Sequence, residues 1–191
     1  MVWRWLVSIL AIVLMILIPV APGLAQPAPT DITDTQFQLG DELRTKAFTA
    51  TNNGDFSSAE KYWTQLIKMF PENPAIWSNR GNSRVSQNNL AMAIEDFNKS
   101  IELLPNRPDA YLNRGTALEG LGKWDEAIAD YKYILSIDPQ DAMAYNNLGN
   151  AYAGLGKWQV AIENYVKASA IAPNFAFARA NYALALYQTG Q

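Results

Sequence analysis

Hydrophobic and polar positions along this chain repeat every 34 residues from position 40 onward. The fourth and twenty-fourth positions of each period carry large, mostly aromatic residues: Leu43, Trp77, Tyr111 and Tyr145, then Trp63, Phe97, Tyr131 and Tyr165. The eighth and twentieth positions carry only small residues: Ala47, Gly81, Gly115, Gly149 and Ala183, then Ala59, Ala93, Ala127 and Ala161. Rings that fill the space beside small residues are typical of two helices in close contact. A repeat of this length predicts stacked helix pairs that form a solenoid.

Turn residues mark the ends of the predicted helices. One position per period holds a residue that tolerates the left-handed conformation at which helices end: Gly54, Asn88, Gly122, Gly156 and Gly190. Prolines close the second helix of each pair, because proline disfavours helical geometry in the preceding residue: Pro71, Pro105, Pro139 and Pro173. We therefore predict four complete units, followed by one unpaired helix of an incomplete fifth unit: 40–73, 74–107, 108–141 and 142–175, then 176–191.

The stretches WSNRG (77–81), YLNRG (111–115) and YNNLG (145–149), with alanine and proline in register, resemble the tetratricopeptide repeat (TPR) family. The likeness covers nearly all of residues 40–191, and it implies an all-α, right-handed superhelical solenoid of helix-turn-helix pairs. The residues expected to pack the repeats together are Gly81, Ala93, Phe97, Pro105, Gly115, Ala127, Tyr131, Pro139, Gly149, Ala161, Tyr165 and Pro173. The chain also looks like exported TPR proteins of photosynthetic bacteria and chloroplasts.

Several arginines depart from the family pattern. Arg80 and Arg114 stand where the family usually carries leucine, and Arg84 stands where it carries tyrosine. We expect the edges of those units to pack less tightly.

In the TPR family the first helix of each pair lines a concave groove, and this resemblance implies that a ladder of asparagines faces it. We predict that their carboxamides bind the backbone of an extended peptide: Asn79, Asn113, Asn147 and Asn181, with Asn82 and Asn150 beside them. Leu112 and Met143 are predicted as neighbouring contacts. The alternative is that asparagine is simply the consensus residue at this position. TPR modules that bind a C-terminal carboxylate carry lysines and an arginine where this chain has residues such as Ala75, Asp109 and Asn146, so we expect no carboxylate clamp.

The N-terminus has the composition of an export signal. Arg4 is the only charged residue in 1–25, and 5–20 are almost wholly apolar. Small residues before Gln26 predict cleavage there, after Sec-type export to a periplasm or thylakoid lumen. The alternative is a retained anchor formed by residues 3–20. Residues 26–39 are then a leader and the start of the first helix.

Composition limits the chemistry that the chain can perform. It has no cysteine and no histidine, and its 15 Lys and Arg against 18 Asp and Glu form no basic run. We therefore expect no enzyme activity, cofactor, metal site, nucleic-acid binding or small-molecule substrate. The carboxylates of the second helices are interpreted as surface charges, some of them paired with a lysine four residues later: Asp96, Asp130, Glu95 with Lys99, and Glu163 with Lys167.

These observations predict an exported, non-enzymatic scaffold that binds a protein or peptide partner in its groove. Two alternatives stay open: a docking or regulatory portion of a larger envelope enzyme or complex, or an oligomer. Self-association would use the last helix, whose apolar residues include Phe177, Leu184 and Tyr187. Membrane contact is expected only if the N-terminal segment is retained.

Overall fold

The structure, a computed structural model, describes residues 34–190 of the chain. This part contains nine α-helices and no strand: α1 (Asp34–Asn52), α2 (Phe56–Met69), α3 (Pro74–Ser86), α4 (Leu90–Leu103), α5 (Pro108–Gly120), α6 (Trp124–Ile137), α7 (Ala142–Gly154), α8 (Trp158–Ile171) and α9 (Ala176–Thr189). The predicted all-α solenoid is confirmed. The export signal, the cleavage before Gln26 and most of the leader lie outside the described residues, and they stay predictions.

Each helix packs against the next one along the chain, and the first helices of the pairs also contact one another. These additional contacts join α3 to α5, α5 to α7, and α7 to α9. The first helices α3, α5, α7 and α9 therefore line one common surface, and α1 extends it because α1 and α3 line the same cavity. We call this surface the groove.

The turn chemistry predicted from the repeat is confirmed. Gly54, Gly122 and Gly156 have φ between 70° and 75°, and Asn88 has a φ of 62° at the equivalent turn. Asn88 is the one non-glycine residue between 34 and 190 with a positive φ. Asparagine tolerates this conformation better than other residues with a side chain, which explains why it alone replaces the turn glycine.

Close contacts between glycines and rings join the two helices in each of the second, third and fourth units. A Cβ atom on Gly81 would lie 2.6 Å from Cε1 of Phe97, and one on Gly115 would lie 2.6 Å from Cε1 of Tyr131. The same contact in the next unit joins Gly149 to the ring of Tyr165 at 2.5 Å. These distances are too short for a real side-chain atom, so alanine at any of the three glycines would displace a buried ring.

The unusual arginines join helices through ion pairs. Arg80 donates two hydrogen bonds to Asp96, of 3.0 and 2.7 Å, and Arg114 donates two to Asp130, of 2.9 and 2.6 Å. Arg84 bridges two carboxylates, at 2.9 Å to Glu60 and 2.9 Å to Asp96. Both aspartates are buried, so their interpretation as surface charges is wrong. The arginines hold the units together where we expected looser packing.

The prediction that lysines on the second helices pair with the glutamate four residues earlier is also wrong. Lys99 donates to Glu102 at 2.8 Å and not to Glu95. Lys167 lies 5.4 Å from the ring centroid of Tyr145 and does not pair with Glu163. In both cases another group lies within easier reach of the flexible lysine side chain.

The last helix, α9, is partly covered. Tyr182 and Leu186 pack on a cluster that includes Ala161 and Tyr165. Phe177 and Tyr187 are 73% and 79% exposed. Between residues 34 and 190, no helix is both long and apolar enough to cross a membrane.

Candidate functional site

The N-terminal end of the groove contains a cavity of about 480 Å³. Its wall is mostly apolar and aromatic, and it is contributed by α1, α2, α3 and the loop before α3: Phe37, Gly40, Asp41, Arg44, Phe48, Trp63, Leu66, Phe70, Asn73, Ala75, Ile76 and Asn79. Phe48 packs edge-on against Trp63, with ring centroids 5.1 Å apart. Arg44 and Asp41 form an exposed ion pair at 2.5 Å. We call this space the N-terminal cavity.

A second cavity of about 530 Å³ lies at the other end of the groove. It is lined by residues of α5, α7 and α9 together with two tryptophans and a tyrosine from the second helices: Thr116, Glu119, Gly120, Trp124, Asn150, Ala153, Gly154, Trp158, Tyr165, Asn181 and Leu184. The position of Trp124 depends on a glycine, since a Cβ on Gly154 would lie 2.7 Å from its ring. We call this space the C-terminal cavity.

Glu119 is the carboxylate residue of the C-terminal cavity. Its Oε1 atom is buried and has no hydrogen-bond partner, and the same is true of the Tyr131 hydroxyl. Burial raises the pKa of the Glu119 carboxyl to about 7, against a smaller opposing effect of the Tyr131 hydroxyl. Burial, and then the charge of Glu119, raise the pKa of Tyr165 to about 12. At neutral pH this carboxyl is therefore close to half ionised.

The predicted asparagine ladder divides into two parts. Asn79, Asn82 and Asn113 lie half-buried or exposed on first helices, and among residues 34–190 their carboxamides make no hydrogen bond. Asn147 Oδ1 accepts a 3.1 Å hydrogen bond from the Nδ2 group of Asn146. The part of the ladder closest to the N-terminus is thus free to bind, and its role in binding stays a prediction.

The remaining asparagines form a network inside the protein. Asn181 Nδ2 donates hydrogen bonds of 3.0 Å to Oδ1 of Asn146 and to Oδ1 of Asn150. The Tyr165 hydroxyl also donates to Asn150 Oδ1, at 2.9 Å. These bonds join α7, α8 and α9, so Asn150 and Asn181 have a structural role that the sequence did not reveal.

Comparison with known families decides what kind of protein this is. A profile described as "TPR repeat" matches residues 81–122 and 120–156, and one described as "Tetratricopeptide repeat" matches 142–175. The chain belongs to the tetratricopeptide repeat family. As a TPR protein it is a scaffold for protein–protein interactions.

Several known proteins are similar to this TPR protein. Hsp70-Hsp90 organizing protein 2 of Arabidopsis thaliana is 34% identical over 62 residues, which are 32% of this chain and 11% of that relative. A crystal structure of MamA protein superposes with a TM-score of 0.72 at 25% identity, covering 81% of this chain and 84% of the other. The first TPR of Spaghetti (RPAP3), bound to the HSP90 peptide SRMEEVD, has a TM-score of 0.59 at 28% identity, covering 62% and 94%.

The other two predicted groove residues of this TPR protein differ in accessibility. Leu112 is half-buried and packs on the core cluster that contains Tyr131. Met143 is 49% exposed. Of the two, Met143 offers more surface to a ligand, and the binding role of both stays a prediction.

The C-terminal cavity is not among the features predicted from the sequence, although the repeat contains a signal for it. Gly120 and Gly154 are 34 residues apart, as are Leu90 and Trp124. Each glycine lies beside a large residue of the preceding unit, namely the first residue of that unit's second helix. A Cβ on Gly120 would lie 2.6 Å from Leu90 Cδ1. Small and large residues that recur in the same register on different units indicate a contact between units.

Proposed function

We propose that this TPR protein holds an extended segment of a partner protein in the groove. The observation that carries the proposal is the set of carboxamides on α3 and α5 that no group in the described chain engages: Asn79, Asn82 and Asn113. A carboxamide can both donate to a peptide carbonyl and accept from a peptide N–H, so it binds backbone without selecting a side chain. An asparagine that only filled a consensus position would not need to remain accessible.

The N-terminal cavity supplies a place for an apolar side chain of the same segment. Asn79 lines this cavity, together with the rings of Phe48 and Trp63. A backbone held by Asn79 would therefore bring its side chains next to an aromatic wall. Mostly apolar cavities with a few polar groups are the usual form of ligand sites.

Similar proteins support peptide binding but point to a different ligand. The Spaghetti TPR is bound to a peptide with two glutamates and a terminal aspartate. In this chain the groove positions that would hold the lysines of a carboxylate clamp carry other residues, among them Met143 and Asp109, whose carboxylate pairs with Arg107. We therefore propose that the segment is bound along its backbone and not through a terminal carboxylate.

The experiment compares two pairs of asparagine substitutions. Peptides are first selected with the full chain from a display library of random twelve-residue peptides, and their affinities are then measured by calorimetry. Asn79→Ala combined with Asn113→Ala should weaken binding about tenfold to thirtyfold, because two hydrogen bonds of about 1 kcal/mol each are lost. The control pair, Asn53→Ala with Asn174→Ala, changes exposed turn asparagines and should bind normally. Unchanged affinity of the groove pair, with normal helical circular dichroism, would refute the ladder as anchor.

We further propose that the protein works outside the cytoplasm. This proposal rests on the composition of residues 1–25, which matches a Sec signal with cleavage before Gln26. The N-terminal sequence of the protein isolated from its source checks it. A mature chain beginning at Gln26 is expected, whereas a chain that begins at Met1 and sediments with membranes means a retained anchor.

Self-association is a second candidate function, favoured by the exposure of α9. Phe177, Leu184 and Tyr187 are between 55% and 79% exposed on this helix. Apolar residues gathered on one helix are a common feature of protein interfaces. Light scattering tests this candidate, because a constant monomer mass over a range of concentrations is incompatible with it.

A further inference from the structure

The C-terminal cavity contains a carboxylate acceptor with no donor of its own. Glu119 Oε1 is buried without a hydrogen-bond partner, and none of the ion pairs within residues 34–190 includes Glu119. Tyr165 Oη and Asn181 Nδ2 both bind Asn150 Oδ1. The Tyr131 hydroxyl, which is the remaining donor beside Glu119, is neutral and offsets only part of the effect of burial on the pKa of the carboxyl. A buried charge without a partner is unfavourable, so this carboxylate would gain most from a cation.

The same chain satisfies two other buried carboxylates with a combination of a guanidinium and a ring. Asp96 binds Arg80, whose Cζ lies 5.0 Å from the ring centroid of Trp77. Asp130 binds Arg114, which lies 5.3 Å from the ring centroid of Tyr111. A cation between a carboxylate and an aromatic face is thus the recurring solution in this solenoid.

We propose that the C-terminal cavity binds a lysine or arginine side chain of the segment held in the groove, with Glu119 as its carboxylate and Trp124 and Trp158 as its aromatic walls. The two indole rings and the carboxylate line the same space of about 530 Å³, large enough for a long basic side chain. This inference rests on the proposed function, because the segment must lie in the groove to deliver the side chain.

The protonation state of Glu119 makes this selection pH-dependent. The titratable groups facing it are Tyr131 on α6 and Tyr165 on α8, and the pKa of each is raised. Both tyrosines stay neutral near pH 7, and the cavity residues of α7 and α9 are amide or apolar. Because the pKa of Glu119 is about 7, the ionised fraction rises about tenfold between pH 6 and pH 8. Affinity for a basic side chain should rise by about the same factor.

The test uses the full chain and a display library of random twelve-residue peptides at pH 8. The wild-type protein should select peptides with Lys or Arg at one fixed position. E119Q keeps the shape of the side chain and should select peptides without that preference. E163Q, which makes the same chemical change at an exposed glutamate of α8, should select as the wild type does.

A selected peptide then gives the quantitative result. Replacing its basic residue by norleucine should weaken binding to the wild type at least about tenfold, and to E119Q less than about twofold. An equal basic preference in E119Q overturns the inference, as does selection by the wild type of peptides with no basic residue. The latter result leaves groove binding intact. If the wild type selects no peptides at all, the proposed function itself fails, and this inference falls with it.

Discussion

In the second and third units of the solenoid an ion pair with a buried aspartate joins the two helices of the unit, whereas the fourth unit carries no charge at the equivalent positions. Arg114 and Asp130 occupy the seventh and twenty-third positions of the third unit and form an ion pair at 2.6 Å. The fourth unit carries Leu148 and Asn164 at these positions. Leu148 is buried, and Asn164 Nδ2 donates to the Val160 carbonyl of its own helix at 2.8 Å. The charge is thus absent at both of these positions.

We infer from this difference that the residues at the two positions must match each other, and that neither position requires a charge. A buried ion pair and its neutral equivalent can be of similar stability, but a single buried charge left without its partner is strongly unfavourable. The network of Asn146, Asn150 and Asn181 follows the same logic, because it joins α7 to α9 with neutral groups only. We therefore expect the charged units to tolerate paired neutral substitutions and to resist single ones.

The largest expected effect on stability comes from giving positions 114 and 130 of the third unit the leucine and asparagine that the fourth unit carries at its equivalent positions. Arg114→Leu alone should reduce the free energy of unfolding by about 3 kcal/mol, because it leaves Asp130 buried without a partner. Adding Asp130→Asn should recover most of this loss, to within about 1 kcal/mol of the wild type. Urea denaturation followed by circular dichroism measures both values. Additive losses in the double variant would show that the charge itself stabilises the third unit.

The stability of the C-terminal part of the solenoid, where α7, α8 and α9 are joined by neutral groups, should depend on amide hydrogen bonds. Asn150→Ala combined with Asn181→Ala removes three hydrogen bonds of 2.9 to 3.0 Å and should lower stability by about 2 kcal/mol. Asn79→Ala combined with Asn113→Ala, in which neither carboxamide is engaged within the described chain, should change stability by less than about 0.5 kcal/mol. Equal losses in these two double variants would contradict the division of the asparagine ladder.

The repeat made the backbone of this protein predictable from sequence. The left-handed turn at Asn88 follows from its register with Gly54 and Gly122, since all three occupy the same turn. The helix ends before the prolines follow in the same way, because Phe70 and Leu104 leave the helical region at ψ of 63° and 88°. Such features depend on local geometry, which each unit repeats.

Side-chain partnerships were harder to predict, because they depend on which residues from different helices face each other. Each unusual arginine, considered alone, indicated looser packing. The residue sixteen positions later gives the missing information. Where the first position holds arginine, the later one holds aspartate, as in Arg80 and Asp96, and where the first holds leucine, the later one holds asparagine, as in Leu148 and Asn164. Glu119 is harder still, because the cavity that it lines is formed together with residues of the next units, such as Asn150 and Asn181.

The smallest expected effect concerns Glu119, whose Oε1 atom is buried and accepts no hydrogen bond within residues 34–190. In the unfolded chain Glu119 ionises near 4.5, and in the folded protein its pKa is about 7. Below pH 4.5 both states hold the proton, so the carboxyl has no effect on stability. As the pH rises to 7 the unfolded state ionises first, and the folded state loses stability. Above pH 7 the loss is constant, at about 1 to 2 kcal/mol for a group that solvent partly screens.

Glu119→Gln should therefore match the wild type at pH 4 and exceed it in stability by about 1 to 2 kcal/mol at pH 8. The difference between the two proteins removes the contribution of every other titrating group, and urea denaturation at a series of pH values measures it. A lysine peptide bound in the C-terminal cavity should abolish the advantage of the variant, since it supplies the cation that the carboxylate lacks within the described chain. If the difference in stability between the variant and the wild type is constant from pH 4 to pH 8, the Glu119 carboxylate already has a partner in the folded protein, as Asp96 and Asp130 do.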